Sequence, residues 1–96
     1  MAAYLIASIH VHNPAGYDDY RNHTQPIVEA HGGRFLVRGG KVHPLEGDGE
    51  IERFVVIEFP SVDQARAFYE SDDYQRVLPA RTNNADTEMF IVEGTA

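Results

Sequence analysis

His10, Arg38 and Glu58 are the side chains of this 96-residue sequence best suited to moving a proton or steadying negative charge. All three fall in stretches that read as strands. If the second and third strands form a hairpin centred near residue 46, Arg34 stands opposite Glu58 and Arg38 opposite Phe54. An arginine and a carboxylate on paired strands can bind and polarise an acidic or carbonyl substrate. The same pair can instead be a cross-strand ion pair that fixes register or crosses a dimer interface. His10 is a candidate general base, because an imidazole titrates near pH 6.5 in the absence of perturbation. Its alternative is a hydrogen-bonded interior histidine. His10 and His12 share one strand face, a spacing able to chelate zinc, copper or iron if Glu58 or His31 supplies a third ligand. Two unconnected histidines explain the same spacing, and no metal or other cofactor is assigned.

Tyr17, Tyr20, Tyr69 and Tyr74 each combine an apolar ring with a polar tip. Such residues suit the wall of a pocket for a planar organic ligand, and they also suit ordinary packing of helices on a sheet. His23 lies one turn from Tyr20, as a relay partner or as a rim residue. Arg81 follows a helical stretch that Pro79 is expected to break. There it either meets helix carbonyls or reaches a ligand carboxylate.

Several chemistries are excluded by composition. The sequence has no cysteine, so disulfides, zinc thiolates, iron–sulfur clusters and thiol nucleophiles are absent. Fifteen acidic against eight basic residues give a net charge of −7, which repels nucleic acid in the absence of a basic patch. Neither Gly39-Gly40 nor Gly47-Asp48-Gly49 has the spacing of a phosphate loop. The longest apolar stretch, Ala2 to Ala7, is far short of the ~20 residues that cross a membrane. No basic segment precedes Arg21, so no signal peptide is expected, and a cytoplasmic protein of one domain, residues 1–96, is the expectation.

The elements that must position these side chains are legible from periodicity. Tyr4 to Val11 alternates, with Leu5, Ala7, Ile9 and Val11 on one face, as a half-buried strand does. Asn13-Pro14 opens a helix that runs to about His31, with Tyr17, Tyr20, Thr24, Ile27, Val28 and His31 facing inward. Pro26 is expected to kink or divide it, and Gly32-Gly33 to stop it. Arg34 to Arg38 reads as a strand, followed by a bulge or bend at Gly39-Gly40 and resumed pairing at Lys41 to Leu45. Glu46 to Glu50 is a turn, and Phe54 to Phe59 a third strand ended by Pro60. Ser61 and Gln64 match a capping box for a helix to about Glu70. Ser71-Asp72-Asp73 caps a short helix carrying Tyr74, Val77 and Leu78. Asn83-Asn84 is a loop, and Glu88 to Val92 is the last strand.

This order is βαββαβ, the ferredoxin-like member of the α+β class: a four-stranded antiparallel sheet with helices on one face. The other face would expose Tyr4, Ile6, Leu36, Phe54, Val56 and Phe90. An apolar patch of that size marks an interface, and a two-fold homodimer with the sheets face to face covers it.

Four segments carry a family resemblance: Asn13-Pro-Ala-Gly-Tyr17-Asp-Asp-Tyr20, Gly32-Gly-Arg-Phe-Leu-Val-Arg-Gly-Gly40, Val56-Ile-Glu-Phe-Pro-Ser61 and Ala67-Phe-Tyr-Glu-Ser-Asp-Asp-Tyr74. With Arg81, they resemble domain-of-unknown-function family 1330 over nearly the whole chain. Asn13 stands where that family commonly has Asp, and both residues cap helices well. The resemblance implies the dimeric α/β-barrel superfamily, and with it a dimer and a small-molecule pocket between sheet and helices. It implies no particular reaction, since members of that superfamily include cofactor-independent monooxygenases, isomerases, haem-degrading enzymes and ligand binders.

The expectation is therefore a small dimeric protein that binds an organic molecule, acidic or aromatic in character. As an enzyme it would be a cofactor-independent monooxygenase, isomerase or cyclase-like protein. The competing expectation is a ligand-binding, sensor or structural dimer without turnover; a metal or haem protein using histidine is the third.

Overall fold

The computed structural model describes residues 1–95. The chain runs β1 (Ala3–Val11), α1 (Pro14–Ala30), β2 (Arg34–Arg38), β3 (Arg53–Phe59), α2 (Val62–Glu70), α3 (Asp72–Thr82) and β4 (Ala85–Glu93). The four strands form one antiparallel sheet in the order β2-β3-β1-β4. This is the expected α+β, ferredoxin-like arrangement, with α3 as an added helix before the last strand.

Alternation decides which face is covered. On β1, Leu5, Ala7 and Ile9 are buried while the residues between them are not. Their partners Ile57 and Val55 on β3 are buried too. The helices pack on that face with Tyr17, Tyr20, Val28, Ala65, Phe68 and Tyr74, which complete the core. Removing such rings and branched chains from water is the main source of stability, about 1.5–3 kcal/mol for each full-sized side chain. The opposite face keeps Phe90 50 %, Leu36 48 %, Val92 42 % and Val37 38 % exposed, with Tyr4, Ile6, Phe54 and Val56 half-buried beside them. No helix covers it.

Several expectations need correction. Pro26 does not divide α1, and Pro79 does not break α3, so Arg81 lies within the last turn of a continuous helix. Each proline removes one intrahelical bond. The carbonyls freed belong to Asn22 and Gln75, which are exposed, so water can take the place of the missing N–H. Pairing does not resume at Lys41 to Leu45. Gly39 adopts φ +72° and turns the chain away, Pro44 offers no N–H, and Leu45 is 96 % exposed. The bend expected at Gly39-Gly40 is present at Gly39, and β2 carries a further irregularity between Phe35 and Val37. Finally, Gln64 does not close a capping box: its backbone N–H donates to Ser61 Oγ, but its side-chain amide donates to the His31 carbonyl.

The β2 irregularity controls the placement of arginines. Arg34 pairs with Glu58, as the hairpin arithmetic expects. With one extra residue at Leu36, Val37 then pairs with Val56 and Arg38 with Val55 rather than Phe54. A one-residue shift exchanges strand faces. Arg34 therefore stands on the bare face, and Arg38 on the helix-covered face with Phe35.

Candidate functional site

Between the helices and the covered face lies a cavity of about 30 Å³ with mainly apolar walls. Leu5, Ala7, Ile9, Val55 and Ile57 form its floor, and Tyr17, Tyr20 and Tyr74 its roof. Arg21, Arg38 and Arg53 line both this cavity and an outer polar cleft of about 630 Å³. The cleft's other walls come from α1, through Asn22, Gln25, Pro26 and Glu29, and from Gly39.

The roof is held by its own chemistry. Tyr20 Oη and Tyr74 Oη are 2.7 Å apart and buried, joining α1 to α3. Their rings meet edge to face at 6.0 Å, and Tyr17 lies 5.6 Å from Tyr20, spacings typical of aromatic pairs. Asn13 caps α1 and Ser71 caps α3, so each tyrosine sits on a defined first or second turn. Thr24, buried one turn after Tyr20, donates its hydroxyl to the Tyr20 carbonyl.

Burial pushes the Tyr20 phenol well above the ordinary tyrosine range, helped by Tyr74 and opposed by the Arg81 charge. Burial also raises Tyr74, again against the pull of Arg81. Both phenols are therefore protonated donors at neutral pH. Arg81 itself is only 5 % exposed, with its guanidinium 5.7 Å from the Tyr20 ring centre. Burial works against its charge, but Tyr74 and Tyr20 outweigh that and keep it firmly cationic. Its Nε has no hydrogen-bond partner.

Arg38 crosses the boundary between cavity and cleft. It donates from Nη1 to Gln25 Oε1 and from Nη2 to the Arg21 carbonyl, both at 2.7 Å, and its guanidinium lies 4.4 Å from the Phe35 ring centre. Arg53 pairs with buried Ile9 and stands on the covered face, 5.5 Å from the Tyr17 ring centre.

The structure thus gathers Arg38, Tyr17, Tyr20 and Tyr74 around one cavity, with Arg81 behind the roof. It separates them from His10 and Glu58, which lie on the bare side of the sheet. Glu58 accepts from Arg34 Nε at 2.7 Å and from the Tyr4 hydroxyl at 3.4 Å. His10 is exposed and pairs through Nδ1 with Glu52. Tyr69, 38 % exposed, packs its ring on Tyr74 and lines a separate shallow groove with Arg66 and Phe90. His23 is exposed and His31 binds the Ile27 carbonyl through Nδ1. Among the described residues, no cluster of three or more His, Asp or Glu side chains could hold a metal ion.

Arg53 and Arg21 were not anticipated. Arg53 had a signal: it continues the Val55, Ile57, Phe59 alternation by one step, which a strand begun at Phe54 leaves out. Arg21 follows Tyr20 on α1 and reads as solvent-facing until β2 and β3 are placed beside it.

The sequence matches the model of DUF1330, a domain of unknown function, over residues 2–95. No curated protein matches it. Among solved structures, a protein of unknown function from Rhodopseudomonas palustris is similar with a TM-score of 0.80 at 16% identity, over 99% of this chain and 83% of that one. SnoaB, a cofactor-independent oxygenase from Streptomyces nogalater, gives 0.68 at 14% identity, over 99% and 94%. An uncharacterized NIPSNAP domain protein from Burkholderia xenovorans gives 0.57 at 13% identity, over 100% and 96%. At such identities these likenesses establish the fold and nothing of the chemistry.

Proposed function

The chain belongs to the DUF1330 family, and since that family has no assigned function we propose one from the cavity: the protein binds a small organic molecule there and stabilises an anionic oxygen on it. The observation that carries this reading is the buried Tyr20–Tyr74 hydroxyl pair in the cavity roof, with the Arg81 cation behind it. One phenol donates to the other, which leaves an O–H free to donate to a ligand oxygen. Fixed donors and a buried cation in an apolar setting favour charge at that oxygen more strongly than water does.

An enolate or phenolate held in this way is electron-rich. Reprotonated at another carbon, it gives an isomerase; met by dioxygen, it suits oxygenation without a cofactor, the activity described for SnoaB. Tyr17 and Phe35 would hold the ligand ring, and Arg38 would neutralise charge at the opening. Because the cavity is small, admission of a ring requires the Arg38 bridge between β2 and α1 to part, a local motion of the kind common at binding sites. The second reading is a binder without turnover. It is favoured by the cavity lining, which includes arginines and phenols but no imidazole or carboxylate to take a proton.

The bare sheet face supports a homodimer in which two copies bury it together. Its exposed Phe90, Leu36, Val92 and Val37 are the apolar centre that such an interface needs.

The chromophore 4-nitrophenol tests the oxyanion reading. Bound at the tyrosine pair, it is expected to ionise at lower pH than in buffer, with the phenolate band as readout. Tyr74→Phe should lose most of the shift. A spectrum unchanged by the protein, or a shift that Tyr74→Phe and Arg81→Met both leave intact, would sink the reading.

A further inference from the structure

We infer that the boundary between cavity and cleft is a carboxylate site, and that the ligand is an organic acid whose anionic head sits between Arg38 and Arg53 with its apolar body toward Tyr17, Tyr20 and Phe35. This inference rests on the proposed cavity and specifies what the cavity takes.

The argument begins with pairing. Carboxylates outnumber cationic side chains fifteen to eight in this chain, so a surface arginine has ample opportunity to find one. Among the described residues, Arg34 and Arg76 do so, and Arg66 and Arg81 do not, but neither of these lines the cleft. Arg21, Arg38 and Arg53 have no carboxylate within 4.0 Å, although they converge on one opening. Glu29 is the one acidic residue lining the cleft. Arg38 is engaged, but by two neutral oxygens, the Gln25 amide and the Arg21 carbonyl. These hold its direction without neutralising its charge. Arg53 Nε is buried and has no acceptor at all. A buried donor left without a partner is costly in a folded protein and calls for an explanation.

Backbone geometry holds these guanidiniums in place. The extra residue at Leu36 turns Arg38 toward the cavity. Gly39, at φ +72°, lets Arg53 lie against the chain: a Cβ there would stand 2.5 Å from Arg53 Nη1. Two planar forks lining one opening can each meet an oxygen of a carboxylate. The apolar cavity behind them requires that the anion carry a hydrocarbon or aromatic body, which inorganic anions lack.

The test is calorimetric titration with benzoate and its neutral counterpart benzamide, run on the whole protein with the Arg53 Nε–H resonance followed by NMR. Benzoate is expected to bind at least about tenfold more tightly than benzamide, with the Arg53 Nε–H signal moving downfield as it binds. Arg53→Met and Arg38→Met should each erase the preference, while Arg53→Lys retains part of it. The NMR signal in the unaltered protein keeps the test valid should either methionine variant fold poorly. If both probes bind equally, or the resonance stays fixed while benzoate binds, the carboxylate site is wrong and the cavity stands. If neither probe binds, the cavity reading falls and takes this inference with it.

Discussion

Tyr20 and Tyr74, fifty-four residues apart in sequence, share a buried hydroxyl–hydroxyl bond of 2.7 Å that ties the first helix to the third. Removing one hydroxyl strands the other. Tyr20→Phe or Tyr74→Phe should each cost about 1–2 kcal/mol in urea unfolding. The double variant should cost less than the two together, because no unpaired hydroxyl remains. Strict additivity would show that the bond contributes nothing to folding.

The same two phenols set the response to alkali. Burial raises both above their unfolded value of about 10. Above that pH the folded chain keeps protons that the unfolded chain gives up, so stability falls as pH rises. Their contribution is whole below about pH 10 and disappears as pH passes the folded-state values. A phenolate absorbance titration should show a late component that merges with unfolding. Tyr20→Phe/Tyr74→Phe should lack it.

Arg81 makes the opposite kind of prediction. Burial disfavours this cation, which has no carboxylate partner among the described residues, but Tyr74 and Tyr20 offset that cost. Because cost and compensation are close, Arg81→Met should change stability by no more than about 1–2 kcal/mol in urea unfolding, while weakening the 4-nitrophenol shift. A loss of about 3 kcal/mol or more would instead mark Arg81 as part of a structural pair.

The bare sheet face predicts self-association. Phe90 is half exposed in the single chain, so Phe90→Asp should leave the subunit folded while placing charge in the apolar centre of the interface. Sedimentation is expected to show a dimer for the parent protein and a monomer for Phe90→Asp at micromolar concentration. A parent protein that sediments as a monomer would exclude the proposed assembly.

Much of this arrangement was legible in the sequence. The alternation of β1, the Asn13 and Ser71 caps and the Arg34–Glu58 pairing all rest on local rules that tertiary packing did not override. Alternation alone puts Arg38 on the wrong face because the extra residue at Leu36 carries no glycine or proline to announce it; the Gly39-Gly40 pair marks only the bend that follows. His10 and Glu58 looked like partners of Arg38 for the same reason, since a correct alternation applied across an undetected insertion returns the wrong side. The prolines misled in the other direction. Whether an internal proline breaks a helix depends on whether water reaches the carbonyl it frees, and exposure of Asn22 and Gln75 is a property of the folded molecule.

The irregularity at Leu36 also fixes how relatives can diverge. Arg34 and Arg38 serve opposite sides of the sheet only because an odd insertion lies between them. A homologue that deleted this single codon would keep every arginine and glutamate, and most of its hydrophobic core. It would nevertheless swing a guanidinium out of the cavity and onto the uncovered side of the sheet. Such a change in the cavity would be written in strand length, where a residue-by-residue comparison does not look.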